Sequence, residues 1–248
     1  MPVNVAAIRL VIRALRYRHK LDRLEIARMI HVLHSGDTCI DIGAHKGAYT
    51  YWMARRVGHT GRVFAFEPQQ RLAGPLARTF ASMHWSQVRV IEKAVSSASA
   101  ANVPMFVRQV STHGASLIRN QGPDAETVPV TVTSIDDFAA GNAVSRVDFI
   151  KIDAEALELS ILEGAHQTLD KFRPTVLAEI ETRHHERAGH AHAADPIEDV
   201  LKMLAPMGYA CEFPYNGQWR PVEDFGAATH QNYGHGEYVN NFLFTARN

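Results

Sequence analysis

The feature that most constrains this chain is a rhythm. Short apolar runs alternate with segments whose apolar residues recur at helical spacing. "TCIDI" (38–42) reads as a strand and Ala48 to Val57 as a helix. "RVFAFE" (62–67) is a second strand, Leu72 to Phe80 a second helix, and "VRVIE" (88–92) a third strand. "VDFIKID" (147–153) is a fourth, followed by a helix carrying Leu157, Ile161, Leu162, Ala165 and Leu169. "TVLAEI" (175–180) is a fifth, and Ile197, Val200, Leu201 and Leu204 mark another helix; "YACEF" (209–213) and "NFLFTA" (241–246) finish as strands. Strands alternating with helices predict an α/β fold with a doubly wound, mainly parallel sheet. The right-handed crossover rule puts helices on both of its faces. Residues 99–146 break the rhythm: "VPMFVRQV" and "TVPVTVT" are strand-like and predict a β-rich insertion between strands three and four.

Ahead of this rhythm, residues 4–34 read as helix. Ile8, Val11, Ile12 and Leu15, then Leu21, Leu24 and Leu33, recur at helical spacing, with Arg9, Arg13, Arg16, Arg18, Lys20, Arg23 and Arg28 on the other side. The division expected is a helical extension over 1–35 and one domain over 36–248. The length of 248 residues and an apolar fraction of 46% suit that plan. The apolar stripe is intermittent and lacks an aromatic anchor. The helices are therefore expected to cover the sheet edge or form a homodimer contact rather than bind membrane.

Lys plus Arg and Asp plus Glu number 26 each, a balance that argues against a nucleic-acid partner. Cys39 and Cys211 both fall in strand-like runs, with neither disulfide nor zinc spacing. No apolar run reaches membrane-spanning length, so a reduced, cytoplasmic protein is expected.

"DIGAHKG" (41–47) ends the first strand and opens the first helix of the rhythm, where open α/β sheets bind ligands. Gly43 and Gly47 allow a tight turn and close backbone approach. A dinucleotide fingerprint, G-x-G-x-x-G/A, would need glycine at His45, so that a pyrophosphate could lie against bare backbone. The phosphate-loop pattern G-x-x-x-x-G-K-[ST] is missing too. The cofactor predicted is one with no phosphates across the turn. S-adenosylmethionine (SAM) meets that condition. Its ammonium and sulfonium favour an acidic strand end such as Asp41, and Ala44 and His45 flank it in the turn. Its ribose diol wants a carboxylate, and Glu67 stands at the end of strand two, 20 residues after Gly47. The turn "EKAVSS" after strand three reaches the adenine, with Glu92, Lys93 and Ala94 as candidates.

Taken together, "CIDIGAHKGAYTYWM", "GRVFAFEPQ", "VDFIKIDAEALELSILEGA", "RPTVLAEIE" and "NNFLF" resemble FkbM-family SAM-dependent methyltransferases, over about residues 36–245. The resemblance implies a seven-stranded, Rossmann-like class I methyltransferase fold. It also implies methyl transfer to a hydroxyl of a sugar, glycan or polyketide-type acceptor. One position departs from the family's "D-x-E-G" pattern: Ala156 stands where glycine is common. Alanine is harmless there if φ is negative and costs about 1 kcal/mol if φ is positive.

Methyl transfer to an aliphatic hydroxyl needs alignment and removal of a proton, by a general base or an acidifying metal. Asp153 ends strand four and Glu179 lies near the end of strand five, beside the strand that carries the turn. Clustered carboxylates raise one another's pKa, which suits a base or a divalent-metal (Mg²⁺) site on Asp153 and Glu179. The plainer role for Asp153 is a helix cap. Lys151 shares a face with Asp153 and, if buried, should pair with Asp153 or Glu155; acceptor activation is its alternative role. His184 and His185 follow strand five, and either suits a general base. With His190 and His192 they form a cluster, "RHHERAGHAH", which also reads as a polar loop.

Three rivals stand against this reading. Amino-methylating nucleic-acid enzymes carry an acidic or Asn residue followed by Pro-Pro-aromatic after strand four, where this chain has "DAEA", and neither cysteine follows proline as a cytosine-C5 enzyme requires. A nicotinamide dehydrogenase is opposed by His45. N-methylation of a small molecule, or a non-catalytic SAM-binding scaffold, is the remaining alternative.

Overall fold

The computed structural model describes residues 4–108, 117, 125–187, 195–234 and 236–247. Its centre is a sheet of eight strands rather than seven. Five run parallel, in the order β3 (Val88–Ile91), β2 (Arg62–Phe66), β1 (Thr38–Ile42), β7 (Phe149–Ile152) and β8 (Thr175–Glu179). The strand predicted fourth is thus hydrogen-bonded to the first, with the fifth next, as expected. β11 (Asn241–Ala246), β9 (Tyr209–Tyr215) and β10 (Gln218–Pro221) continue it antiparallel. β10 is the strand the sequence did not announce. It is an edge strand with no buried residue, held by its ladder to β9.

Alternation along the strands divides the core. Ile40, Ile42, Phe64, Phe66, Ile150, Ile152, Val176 and Ala178 face one way, toward α5 (Ile135–Gly141), α6 (Glu158–Glu163), α7 (His166–Phe172) and α9 (Pro196–Leu204). Cys39, Val63, Ala65, Phe149 and Leu177 face the other, toward α1 (Val5–Arg16), α2 (Arg23–Val32), α3 (Ala48–Val57) and α4 (Gln70–Ser82). Register pairs Asp41 with Lys151 and Lys151 with Leu177, so these charged groups point to the α1–α4 side.

The insertion is a separate three-stranded sheet, in the order β4 (Ala94–Val95), β6 (Ala125–Thr133), β5 (Ala100–Arg108). Within the span read as β-rich, the structure also has α5, whose N-cap Ser134 accepts from Asp137 N at 3.0 Å. The single helix predicted after strand four is two, α6 and α7, broken at Gly164. A Cβ on Gly164 would stand 2.4 Å from Ser96 O, so the break follows from close packing on the insertion.

The N-terminal region departs most from expectation. Its helix is interrupted by a π-helical turn, Tyr17–Leu21, and α1 lies over α3 and α4 rather than over a sheet edge. The face it buries is Leu10 and Ala14, whereas Ile8, Ile12 and Leu15 are exposed. Among the described residues no helix is long and apolar enough to cross a membrane.

Candidate active site

The chain turns sharply out of β1. Gly43 has φ 78°, and a Cβ there would stand 1.9 Å from the backbone oxygen of Asp153, so β1 and β7 approach as closely as only glycine allows. Gly43 N and Ala44 N donate to Phe66 O at 3.0 and 2.9 Å, tying the turn to β2. His45 takes φ 49°, a left-handed conformation that histidine tolerates better than most residues. Gly47, φ 79°, sits beneath, where a Cβ would meet Leu76 at 2.6 Å.

Glu67, just past β2, is 3% exposed. Its Oε2 accepts from His45 N and its Oε1 from Gln69 N, both at 2.9 Å. Burial pushes its pKa up to about 7 against these two bonds, and Asp153 and Asp41 push the same way. A carboxylate has about four acceptor positions, so two remain for a diol. Asp41 is buried, accepts from Thr50 Oγ1 at 2.5 Å, and is raised by burial to about 6.

These residues line one pocket. Asp41, Gly43, Ala44, His45, Glu67, Lys93, Ala94, Lys151 and Asp153 all contribute, so the cofactor residues expected from sequence converge, with Gly47 supporting the turn from below. Of the adenine candidates, Glu92 does not reach the pocket lining. Met105 and Leu117 of the insertion add an apolar wall. The set fits SAM: acceptors for a diol, acid near a cationic tail, and a partly apolar recess for a base. It offers no run of bare glycine backbone to a pyrophosphate.

The residues expected on the acceptor side assemble less simply. Asp153 is exposed to the pocket, and its charge raises the pKa of Asp41, Glu67, Glu158 and Glu179, which marks it as the centre of the rim. Lys151 is 1% exposed. It does not form the expected ion pair with Asp153 or Glu155. Its Nζ donates to Ile152 O at 3.0 Å and lies 5.3 Å from the centre of the Tyr49 ring. Its charge instead acts at longer range, lowering the pKa of Asp22, Glu25, Asp41 and Glu179.

Glu179, His184 and His185 are outside the pocket lining. Glu179 accepts from Asn240 Nδ2 at 3.0 Å, and burial, then Asp153, raises its pKa well above the carboxylate range. His184, on α8 (Thr182–Arg187), lies 3.7 Å from Glu181 Oε2, and His185 lies 3.0 Å from Glu158 Oε2. The two histidines thus turn to different carboxylates. The Mg²⁺ site on Asp153 and Glu179 is not supported: among the described residues no three His, Cys, Asp or Glu side chains gather as metal ligands. His190 and His192 lie outside the described residues.

Sequence reasoning missed four contributors. Arg13 and Tyr17 line the pocket from the N-terminal helices, with Arg13 Nη1 donating to Lys46 O at 3.2 Å; no motif spacing could have placed them there. Glu158 is 1% exposed, accepts from Ala156 N at 3.1 Å and holds His185. Glu181, 2% exposed, accepts from Arg183, from Tyr238 OH at 3.2 Å and from Asn240 Nδ2 at 3.2 Å. Burial works against its charge, but Arg183 and His184 hold its pKa below the usual value. Both glutamates stood within the stretches that carry the family resemblance, which was the available signal.

A model of the methyltransferase FkbM domain matches residues 41–211. No curated protein matches the chain. Among solved structures, methyltransferase FkbM from Methylobacillus flagellatus KT is 15% identical with a TM-score of 0.51; the match covers 98% of this chain but only 55% of that one. The O-methyltransferase TomG from Streptomyces achromogenes, solved with SAM, is 12% identical over 99% of this chain and 92% of its own, with a TM-score of 0.52. An O-methyltransferase from Bacillus cereus, solved with SAH, is 12% identical over 100% and 93%, with a TM-score of 0.51. At such identities the likeness is one of fold.

Proposed function

This chain belongs to the FkbM-domain methyltransferase family, and on that premise we propose that it methylates a hydroxyl of a sugar, glycan or polyketide-type small molecule, with SAM as methyl donor. The observation that carries this reading is the single pocket joining the glycine turn and Glu67 to Asp153 and Lys151. Bound there, SAM would supply a methyl group on a sulfonium, an electrophile that needs no further activation.

The chain's own residues supply placement and proton handling. Glu67 would accept hydrogen bonds from the ribose hydroxyls, while Ala94, Met105 and Leu117 would exclude water around the adenine. Methyl transfer from a bound sulfonium would need the acceptor held in register, and such positioning is worth about 7–11 kcal/mol of the barrier. Asp153, the carboxylate exposed to the pocket, hydrogen-bonds the acceptor hydroxyl and receives its proton. Glu179, which burial and then Asp153 raise above its ordinary range, is a neighbouring carboxylate biased toward its protonated form. The buried ammonium of Lys151 keeps this acidic rim from accumulating negative charge without a counterion.

The test is direct. The protein is incubated with methyl-labelled SAM and fractionated cell extract, and the labelled product is identified by mass spectrometry and NMR. A methoxy group on a sugar, glycan or polyketide is expected. An N-methyl product would replace the hydroxyl acceptor with an amine. Tight SAM binding without any product would favour a non-catalytic scaffold, and tighter binding of NAD than of SAM would sink the cofactor reading.

A further inference from the structure

Among the described residues, nothing covers the outer face of α1. Val5, Ile8, Ile12 and Leu15 are 53%, 45%, 61% and 41% exposed, while the helix buries Leu10 and Ala14. At 3.6 residues per turn these four project from one side. Exposed Arg9 and Arg16 run along its flank, and exposed His19, Lys20, Leu21 and Arg23 follow in the next turns. The stripe that looked intermittent in sequence is continuous here because Val11, half-buried, belongs to the inner side.

Charge singles out the same segment. The chain is neutral, with 26 basic and 26 acidic residues, yet residues 1–21 hold Arg9, Arg13, Arg16, Arg18 and Lys20 and not one Asp or Glu. A second copy of the chain is a poor occupant for this face. A two-fold contact sets the same patch against itself, which would bring Arg9 of one copy toward Arg16 of the other with no acid on α1 to pair them. An anionic lipid surface suits both features at once: its acyl boundary takes the apolar side chains, and its phosphates take the guanidinium groups.

We propose that α1 docks in the plane of an anionic bilayer surface, with Val5, Ile8, Ile12 and Leu15 inserted and Arg9 and Arg16 at the headgroups. Arg13 and Tyr17 of the same segment line the pocket, so docking sets the pocket beside the membrane.

Co-sedimentation of the full chain with vesicles tests this. Vesicles of phosphatidylcholine with phosphatidylserine should recruit the protein, phosphatidylcholine alone should not, and added salt should release it. Arg9→Gln with Arg16→Gln should weaken recruitment about 25-fold, at about fivefold per charge. Ile8→Asp with Ile12→Asp should abolish it while the circular dichroism spectrum and melting temperature stay as in the wild type, since both sites are exposed. Absence of binding to the phosphatidylserine vesicles at low salt overturns the proposal. So does a result in which the Ile8/Ile12 variant leaves vesicle binding intact and instead converts a dimer to a monomer in light scattering.

Discussion

The two halves of the rim hold their buried carboxylates in different ways. On the cofactor half, Glu67 is satisfied by backbone, the N–H groups of His45 and Gln69, and only Asp41 leans on a side chain, the hydroxyl of Thr50 in the first turn of α3. On the proposed acceptor half, Glu158 has one backbone partner, Ala156 N, and the remaining partners of Glu158, Glu179 and Glu181 are side chains: His185, Asn240 and Tyr238 from distant positions and the neighbouring Arg183. A carboxylate held by backbone N–H groups stays in place whatever the surrounding side chains are. One held by side chains moves or changes its pKa whenever a partner is exchanged. The first arrangement suits a ligand that never varies, the second a ligand that differs between members of a family.

The largest effect that can test this contrast is at the junction of the halves. Asp153→Asn keeps the side chain's shape and removes its charge. It should lower kcat by about 10²–10⁴ if Asp153 takes the acceptor's proton, with SAM affinity changed little. An unchanged kcat would move proton handling to another group.

Next is Glu67. Its folded pKa of about 7 is above the value of 4.5 for an unstrained glutamate, so the folded state binds more protons than the unfolded state between these values. Stability therefore falls as pH rises from the lower value to the upper, and the loss is complete above about 7. Glu67→Gln, neutral throughout, should lose less stability than the wild type over that window in pH-dependent denaturation, gaining on it as pH rises. The same variant should lose about 1–3 kcal/mol of SAM affinity in calorimetry. Parallel wild-type and variant profiles would show Glu67 to be ionised at no cost.

How far each half could be read in advance follows from the same contrast. The turn, Glu67 and the strand order were legible because backbone requirements leave local marks: glycines where φ is positive, an acid at a strand end, apolar runs of fixed period. The N-terminal helices misled because four apolar residues at helical spacing do not say which face has a partner; Leu10 and Ala14 won the interior through packing on α3 and α4. β10 was silent because an edge strand with only half-buried and exposed residues leaves no pattern. Glu158 with His185, and Glu181 with Tyr238 and Asn240, are contacts across long sequence separations, which spacing within one segment cannot report.

On the acceptor half, His185→Phe should cost stability rather than chemistry. It leaves Glu158 Oε2 buried without its partner, at about 1–3 kcal/mol in denaturant titration. Burial already raises the Glu158 pKa, and His185 opposes it. The variant's deficit should therefore grow as pH rises and Glu158 is forced to ionise. A fall in kcat of about 10²-fold with stability intact would instead make His185 the general base.

The smallest effect expected is at Ala156, and it compares one left-handed residue in each half. At Gly43 a Cβ would collide with the Asp153 backbone oxygen at 1.9 Å, so glycine is obligatory. Ala156 has φ 63°, the positive case in which alanine is strained, yet its Cβ is accommodated and the residue is 8% exposed. Ala156→Gly relieves about 1–2 kcal/mol of left-handed strain. Against this, the unfolded chain gains freedom worth about 0.4–1 kcal/mol, and a buried methyl worth about 0.8 kcal/mol is lost. The terms nearly cancel, so denaturant titration should place the variant within about 1 kcal/mol of the wild type. Ala156 itself does not line the pocket, whereas Glu155 and Leu157 do, so SAM affinity should stay as it is. A loss well beyond that range would mean that the methyl group is packed as a fixed part of the acceptor half. It would also mean that this half is built as rigidly around Glu158 as the cofactor half is around Gly43.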